Sequence, residues 1–218
     1  MMQGFKDESY NIDFEDGLFE SIMEHLIRCS DEMKSDCIET GNLLNNNEDK
    51  ITNRLVENYL NKGSAFMRFI LQSPESFVPD EDIYKGRTDI KVVPQNWFMD
   101  INDYYIIECK RIDGKAKLNK EYIINGIARF VISPPKYSSF NKRNIMFGYV
   151  VQDINIPNNT IEIERLQKTM IDEVTSEGFI LNNNSGAECY IYSCKYTVNT
   201  EWIELRHLFY DFSDCISS

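Results

Sequence analysis

Two stretches decide how this chain folds: Gly86-Arg-Thr-Asp-Ile-Lys-Val-Val93 and Tyr104-Tyr-Ile-Ile-Glu-Cys-Lys-Arg-Ile112. Both are rich in β-branched and aromatic residues, and Pro94, Asn96, Asn102 and Asp103 punctuate the interval between them, so they predict an antiparallel pair of strands. Side chains alternate along a strand. Glu108 and Lys110 therefore project from one face, while Ile107 and Cys109 project from the other. Pairing the two strands brings Asp89, between Thr88 and Ile90, beside Glu108. An aspartate with a glutamate makes a hard, oxygen-only seat suited to Mg²⁺ or Mn²⁺, and the backbone carbonyl of Cys109 is available as a further ligand. Such an ion polarises a phosphoryl oxygen and acidifies its bound water. Lys110 would orient or deprotonate that water and balance charge in the transition state.

Outward from this pair, the remaining elements follow from periodicity. Phe14, Leu18, Ile22 and Leu26, broadened by Phe19 and Met23, predict an amphipathic helix from Asp13 to about Cys29, with a second over Asp31 to Leu44. The Asn45–Asn47 run separates these from a helix over Glu48–Leu60, whose Ile51, Leu55 and Tyr59 share a face and which Gly63 would stop. Pro74, Pro79 and the nearby acids read as a connecting loop. Lys120–Val131 has helical spacing through Ile123, Ile127 and Phe130 and ends at Pro134-Pro135. A buried strand over Asn144–Gln152, a polar helix around Ile161–Ser176, a strand over Glu188–Val198 and a short terminal element through His207 complete the chain. Asn182–Asn184 reads as a plain loop.

Composition narrows the class. The 218 residues, 42% of them hydrophobic, suffice for one domain with one sizeable core. The first ten residues lack the basic-then-apolar pattern of a secretory leader, and no apolar run is long enough to span a bilayer, so a cytoplasmic protein without a membrane partner is expected. Six cysteines without Cys-x-x-Cys spacing read as reduced thiols. The net charge of −12 opposes a polyanionic partner, yet its distribution does not. From Lys85 to Arg143 there are twelve Lys/Arg against six acids, leaving that segment near +6 between flanks that carry −18. His25 and His207 stand alone and read as ordinary histidines. Trp97, Phe98, Tyr104 and Tyr105 suit hairpin or core packing better than base stacking.

Asp89, an interval of nineteen positions, then Glu108-Cys109-Lys110 followed by a helix resembles the PD-(D/E)xK, restriction-endonuclease-like nucleases, with Thr88 where many members have proline. The resemblance covers about Glu48 to Gln152 and implies an α/β fold: an αβββαβ core, a mixed sheet flanked by helices, with residues 1–46 as an additional helical segment and 153–218 completing one domain. It implies catalytic roles for Asp89, Glu108 and Lys110, and an acid on the preceding helix. Glu48 lies on the Ile51–Leu55–Tyr59 face and is preferred to Glu57, which points away. The Tyr122-x3-Gly-Ile-x-Arg129-Phe segment resembles one found in nuclease-like proteins, which implies that Tyr122 and Arg129 lie near the site. Arg129 would clamp a phosphate through its planar fork, with Lys120 as a point charge and Arg111 as a further substrate contact.

The expectation is therefore a Mg²⁺- or Mn²⁺-dependent nuclease, endo- or exonucleolytic, acting on DNA in bacterial phage defence or repair. The acidic flanks would face away from the substrate or bind a second copy or a partner subunit. Two other readings stand beside it: an RNA nuclease, and a nuclease fold without turnover that serves as a binding subunit.

Overall fold

The computed structural model describes residues 8–62, 66–94, 104–137, 142–171, 175–185, 188–198 and 200–217. They form an α/β structure in which a mixed sheet is flanked by helices. Helix α1 runs unbroken over Glu8–Thr40 and buries Phe19, Ile22, Met23, Leu26, Cys29, Met33 and Cys37 along one face. The expected break between two helices near Ser30 does not occur. The Ser30 hydroxyl donates back to the Leu26 carbonyl at 2.8 Å, which satisfies a polar group that would otherwise favour a turn. The helix stops before Gly41, whose φ of +69° is a left-handed conformation that glycine adopts without strain.

Helix α2 (Glu48–Leu55) continues into a π turn (Val56–Leu60). The Asn47 side chain caps it by accepting from the Lys50 N–H at 3.0 Å, which fixes Glu48 at the first helical position. Ile51 and Leu55 anchor the helix in the core, and Glu57 is exposed. Gly63, like Asn96, Trp97, Phe98 and Asn102, lies outside the described residues.

The strands are β1 (Met67–Leu71), β2 (Pro74–Val78), β3 (Ile83–Arg87), β4 (Ile90–Pro94), β5 (Tyr105–Ile112), β6 (Arg143–Val150), β7 (Thr175–Ser176), β8 (Ile180–Ser185), β9 (Cys189–Val198) and β10 (Glu201–Asp211). In the main sheet the order is β1-β4-β5-β6-β10-β9-β7, with β8 also pairing β9. Pairs β1–β4 and β4–β5 are antiparallel, and β5–β6 and β6–β10 are parallel. The crossover from β5 to β6 carries α3 (Ala116–Tyr122), a π turn (Ile123–Ile127) and α4 (Ala128–Val131). Helix α5 (Ile156–Met170) follows β6. Ile107 and Cys109 of β5 face the core under α1 and α2, while Ile106 and Ile112 face the core under α3 to α5.

Several sequence expectations need correction. The proline-marked loop is a hairpin, β2–β3, since Pro74 opens β2 and Pro79 follows its last residue, positions where a missing N–H costs no ladder bond. Gly86–Val93 is two strands broken at Thr88-Asp89, because β3 pairs with β2 and only β4 joins the main sheet. Asn182–Asn184 belongs to strand β8, paired to β9. The short terminal element is the eleven-residue strand β10, lodged between β6 and β9. Helices α3 and α5 begin earlier than expected, at Ala116 and Ile156.

All six cysteines are free and buried. Among the described residues no helix is long and apolar enough to cross a membrane. His25 contacts the Leu60 carbonyl oxygen at 2.9 Å. His207, fully buried on β10, lies 2.9 Å from the Tyr122 hydroxyl through Nδ1 and against the Phe179 ring. Burial lowers its pKa to about 3. An unfolded histidine takes up its proton near pH 6.5, so the stability held by neutral His207 is complete above that pH and falls as pH drops toward 3, by about 1.4 kcal/mol per pH unit. Between pH 6.5 and 5 the protein should lose about 2 kcal/mol more stability than its His207→Gln variant, read from urea unfolding. Equal slopes for the two proteins would contradict this account.

Candidate active site

The ladder between β4 and β5 ends at the pair Ile90–Ile107. Beyond it, the N–H groups of Cys109 and Arg111 on β5 have no strand to pair with on that side, and two acids take them. Asp89, at the turn into β4, accepts from the Cys109 N–H at 2.7 Å through Oδ2. Glu48, at the start of α2, accepts from the Arg111 N–H at 3.1 Å through Oε2. An unpaired sheet edge is thus capped by carboxylates that also reach Lys110, Asp89 through the same Oδ2 and Glu48 through its other oxygen, Oε1.

Lys110 is the hub. Its ammonium donates to the Cys109 carbonyl at 2.6 Å, to Glu48 Oε1 at 2.9 Å and to Asp89 Oδ2 at 3.4 Å, which uses all three N–H groups. Glu108 Oε1 stands 2.8 Å from the same nitrogen and 2.9 Å from an Arg129 terminal nitrogen, in ion-pair contact with both. The shared nitrogen keeps Asp89 Oδ2 and Glu108 Oε1 no more than about 6 Å apart, and both would draw closer on one ion, whose oxygens lie at about 2.1 Å from it. The other Glu108 oxygen accepts from the Tyr137 hydroxyl at 2.5 Å, and Tyr137 in turn accepts from Arg129 at 2.7 Å.

Glu108 has no exposed surface. Burial, reinforced by the nearby Asp89 charge, raises its pKa to about 7 in spite of Lys110 and Arg129. For Lys110, burial alone would favour the neutral amine, but Glu108, Asp89 and Glu48 outweigh it and lift its pKa above the usual lysine range. The lysine is therefore a cation and a donor in this arrangement.

Glu48, Asp89 and Lys110 line a cleft of about 400 Å³ together with Asp49, Lys85, Arg87, Lys136 and Arg129, while Glu108 is fully buried and outside its lining. A second cleft of about 520 Å³, toward α3, shares Glu48, Lys110 and Arg129 and adds Lys117 and Asn125. Gly86 lets the β2–β3 hairpin close against the first cleft: a Cβ there would lie 2.9 Å from the Lys136 carbonyl and 3.1 Å from the Tyr137 ring.

The structure brings together Asp89, Glu108, Lys110, Glu48, Arg129 and the Cys109 carbonyl. It does not bring Tyr122, which is fully buried behind the sheet on His207 and Phe209. On an ideal α-helix Tyr122 and Arg129 would share a face. The intervening π turn takes more residues per revolution, so the two side chains leave in different directions. Lys120 is exposed and absent from both clefts, and Lys117 lines the second. Arg111 is committed to the Asn46 carbonyl and side chain, both at 2.8 Å, and steadies the start of α2, although it also borders the second cleft. The positive central segment does not form one groove. Lys91 lies over the Tyr104 ring near Glu75, Lys142 over Trp202, and Arg143 pairs with Asp16 and Glu204. Sequence reading missed Tyr137, whose only signal was its position after Pro134-Pro135.

Among the described residues no three His, Cys, Asp or Glu side chains form a ready-made metal cluster. The oxygens of Asp89, Glu108 and Cys109 are instead gathered around the Lys110 nitrogen, and as an all-oxygen set they suit a hard divalent ion. No protein-family model, curated protein or solved structure matches the chain.

A buried acid whose folded pKa is raised binds its proton more tightly folded than unfolded. Its stabilising effect is complete below about pH 4.5 and is lost as pH rises through 7. Glu108→Gln removes this dependence. In chelator, its stability relative to the natural protein should rise by about 3 kcal/mol between pH 4.5 and 8, and a difference that stays flat over that range would refute the burial account.

Proposed function

We propose that this chain is a divalent-metal-dependent phosphodiesterase acting on nucleic acid, with DNA as the substrate, and that its core is of the PD-(D/E)xK, restriction-endonuclease-like kind. The observation that carries the reading is the convergence of Asp89, Glu108 and Glu48 on Lys110, which with Asp89 and Glu48 lines a cleft that also holds Lys85, Arg87, Lys136 and Arg129. The order α2, β1, β4, β5, α3–α4, β6 supports it, with the acid at the turn into the second of these strands, Glu-x-Lys on the third and a parallel fourth strand reached through a helix. The β2–β3 hairpin is then an insertion. Intracellular defence against foreign DNA, or repair, is the setting such a class suggests.

In this reading Asp89, Glu108 and the Cys109 carbonyl hold Mg²⁺ or Mn²⁺, which supplies phosphoryl polarisation and an acidified water. The chain's own groups do the rest. Arg129 and Tyr137 hold the Glu108 carboxylate in place, so its orientation does not depend on the ion. Glu48 holds the lysine and the β5 edge. Lys85, Arg87 and Lys136 would bind and orient phosphates at the cleft, and Lys110 would offer a positive charge to the transition state.

The purified chain should cleave DNA with Mg²⁺ or Mn²⁺ and not in chelator, while Ca²⁺ should support binding better than cleavage. Asp89→Asn and Lys110→Met should each reduce the rate by roughly 10³-fold, about 4 kcal/mol of transition-state stabilisation. Cleavage of RNA alone would move the reading to a ribonuclease. Salt-sensitive binding of DNA without cleavage under any metal would favour a nuclease fold that only binds, and cleavage that survives a chelator would overturn the metal site.

A further inference from the structure

An ammonium that touches four oxygens fills the space they enclose. Lys110 Nζ lies 2.6 Å from the Cys109 carbonyl oxygen, 2.8 Å from Glu108 Oε1, 2.9 Å from Glu48 Oε1 and 3.4 Å from Asp89 Oδ2. Three of those four oxygens are the ones proposed above to hold a divalent ion. Magnesium takes its oxygens at about 2.0 to 2.1 Å, so an ion bonded to this set would sit against the ammonium, cation on cation. The two occupants exclude each other.

Resting on the reading of the site as a metal-dependent phosphodiesterase, we infer that Lys110 is the resident cation of the metal seat and that a divalent ion displaces it into the cleft. The Lys110 side chain is 6% exposed, and all three of its N–H groups are committed to the seat, so without the ion it offers nothing to a substrate. Exchange of one ammonium for one divalent ion keeps the carboxylates of Asp89, Glu108 and Glu48 compensated. Arg129 stays on Glu108, bonded to Tyr137, and supports the carboxylate during the exchange. The freed ammonium then points into the cleft it already lines, beside Lys85, Arg87 and Lys136, where phosphate oxygens would lie. Metal loading and presentation of the lysine are thus one event, and the lysine is withheld from nucleic acid until the ion arrives.

Two measurements on the full chain test this. In trace acylation of the natural protein read by peptide mass spectrometry, labelling of Lys110 in chelator should be far below that of exposed Lys85 and Lys136. It should rise several-fold when Mg²⁺ is added, with the two rim lysines unchanged. In Mn²⁺ titrations followed by electron paramagnetic resonance, Lys110→Met should bind the ion about tenfold more tightly than the natural protein, since no resident cation has to leave. Suppose Mg²⁺ raises the melting temperature of the natural protein and not of Asp89→Asn, yet Lys110 labelling stays low and Lys110→Met binds Mn²⁺ no more tightly. Then the displacement is wrong and the metal site stands. If neither ion binds the natural protein or Lys110→Met, the displacement and the metal reading both fall.

Discussion

A carboxylate with no exposed surface has to be compensated from within the protein, and the site is organised around that requirement at Glu108. Lys110 and Arg129 supply the charge and Tyr137 supplies the hydrogen bond. Each comes from a different part of the chain: the same strand, the crossover helix α4 and the segment after it. Even so, burial wins over the two cations and holds the Glu108 pKa near 7. Such an arrangement is poor value as a stabilising device, since an apolar cluster of the same shape would serve the fold as well or better. Its cost is understandable if the site exists for chemistry.

The second constraint is geometric. Strand β4 pairs with β5 over only three residues, which leaves the far half of β5 without a neighbour on one side. Free strand edges invite unwanted pairing unless they are blocked. Here Asp89 and Glu48 block the edge with their side chains, and in doing so bring two carboxylates to a third. The break between β3 and β4 and the capped start of α2 are what allow this. Both look like local irregularities, and both aim an acid.

Much of this was legible in the sequence because it depends on short-range rules. Strand alternation alone puts Glu108 and Lys110 on one face, and pairing of adjacent strands brings Asp89 near them. Helical phase separates Glu48 from Glu57. What could not be read depends on longer-range packing. Tyr137 reaches Glu108 from an irregular segment with no periodicity to read. Tyr122 was misplaced because nothing in Ile123-Ile-Asn-Gly-Ile127 announces a π turn, and one such turn is enough to redirect the residues beyond it. The β2–β3 hairpin was hidden by Pro74 and Pro79, usually loop markers, which here sit at its base and tip. The interior role of β10 was missed because strand order within a sheet is a tertiary property.

The central claim is that the oxygens now gathered around the Lys110 nitrogen form the seat of a divalent ion. The most direct measurement is anomalous diffraction from crystals grown with Mn²⁺. The account predicts one peak per chain, within about 2.0 to 2.4 Å of an Asp89 carboxylate oxygen, Glu108 Oε1 and the Cys109 carbonyl oxygen. No peak at saturating Mn²⁺, or a peak bound by other residues while Lys110 still rests on these oxygens, would contradict it.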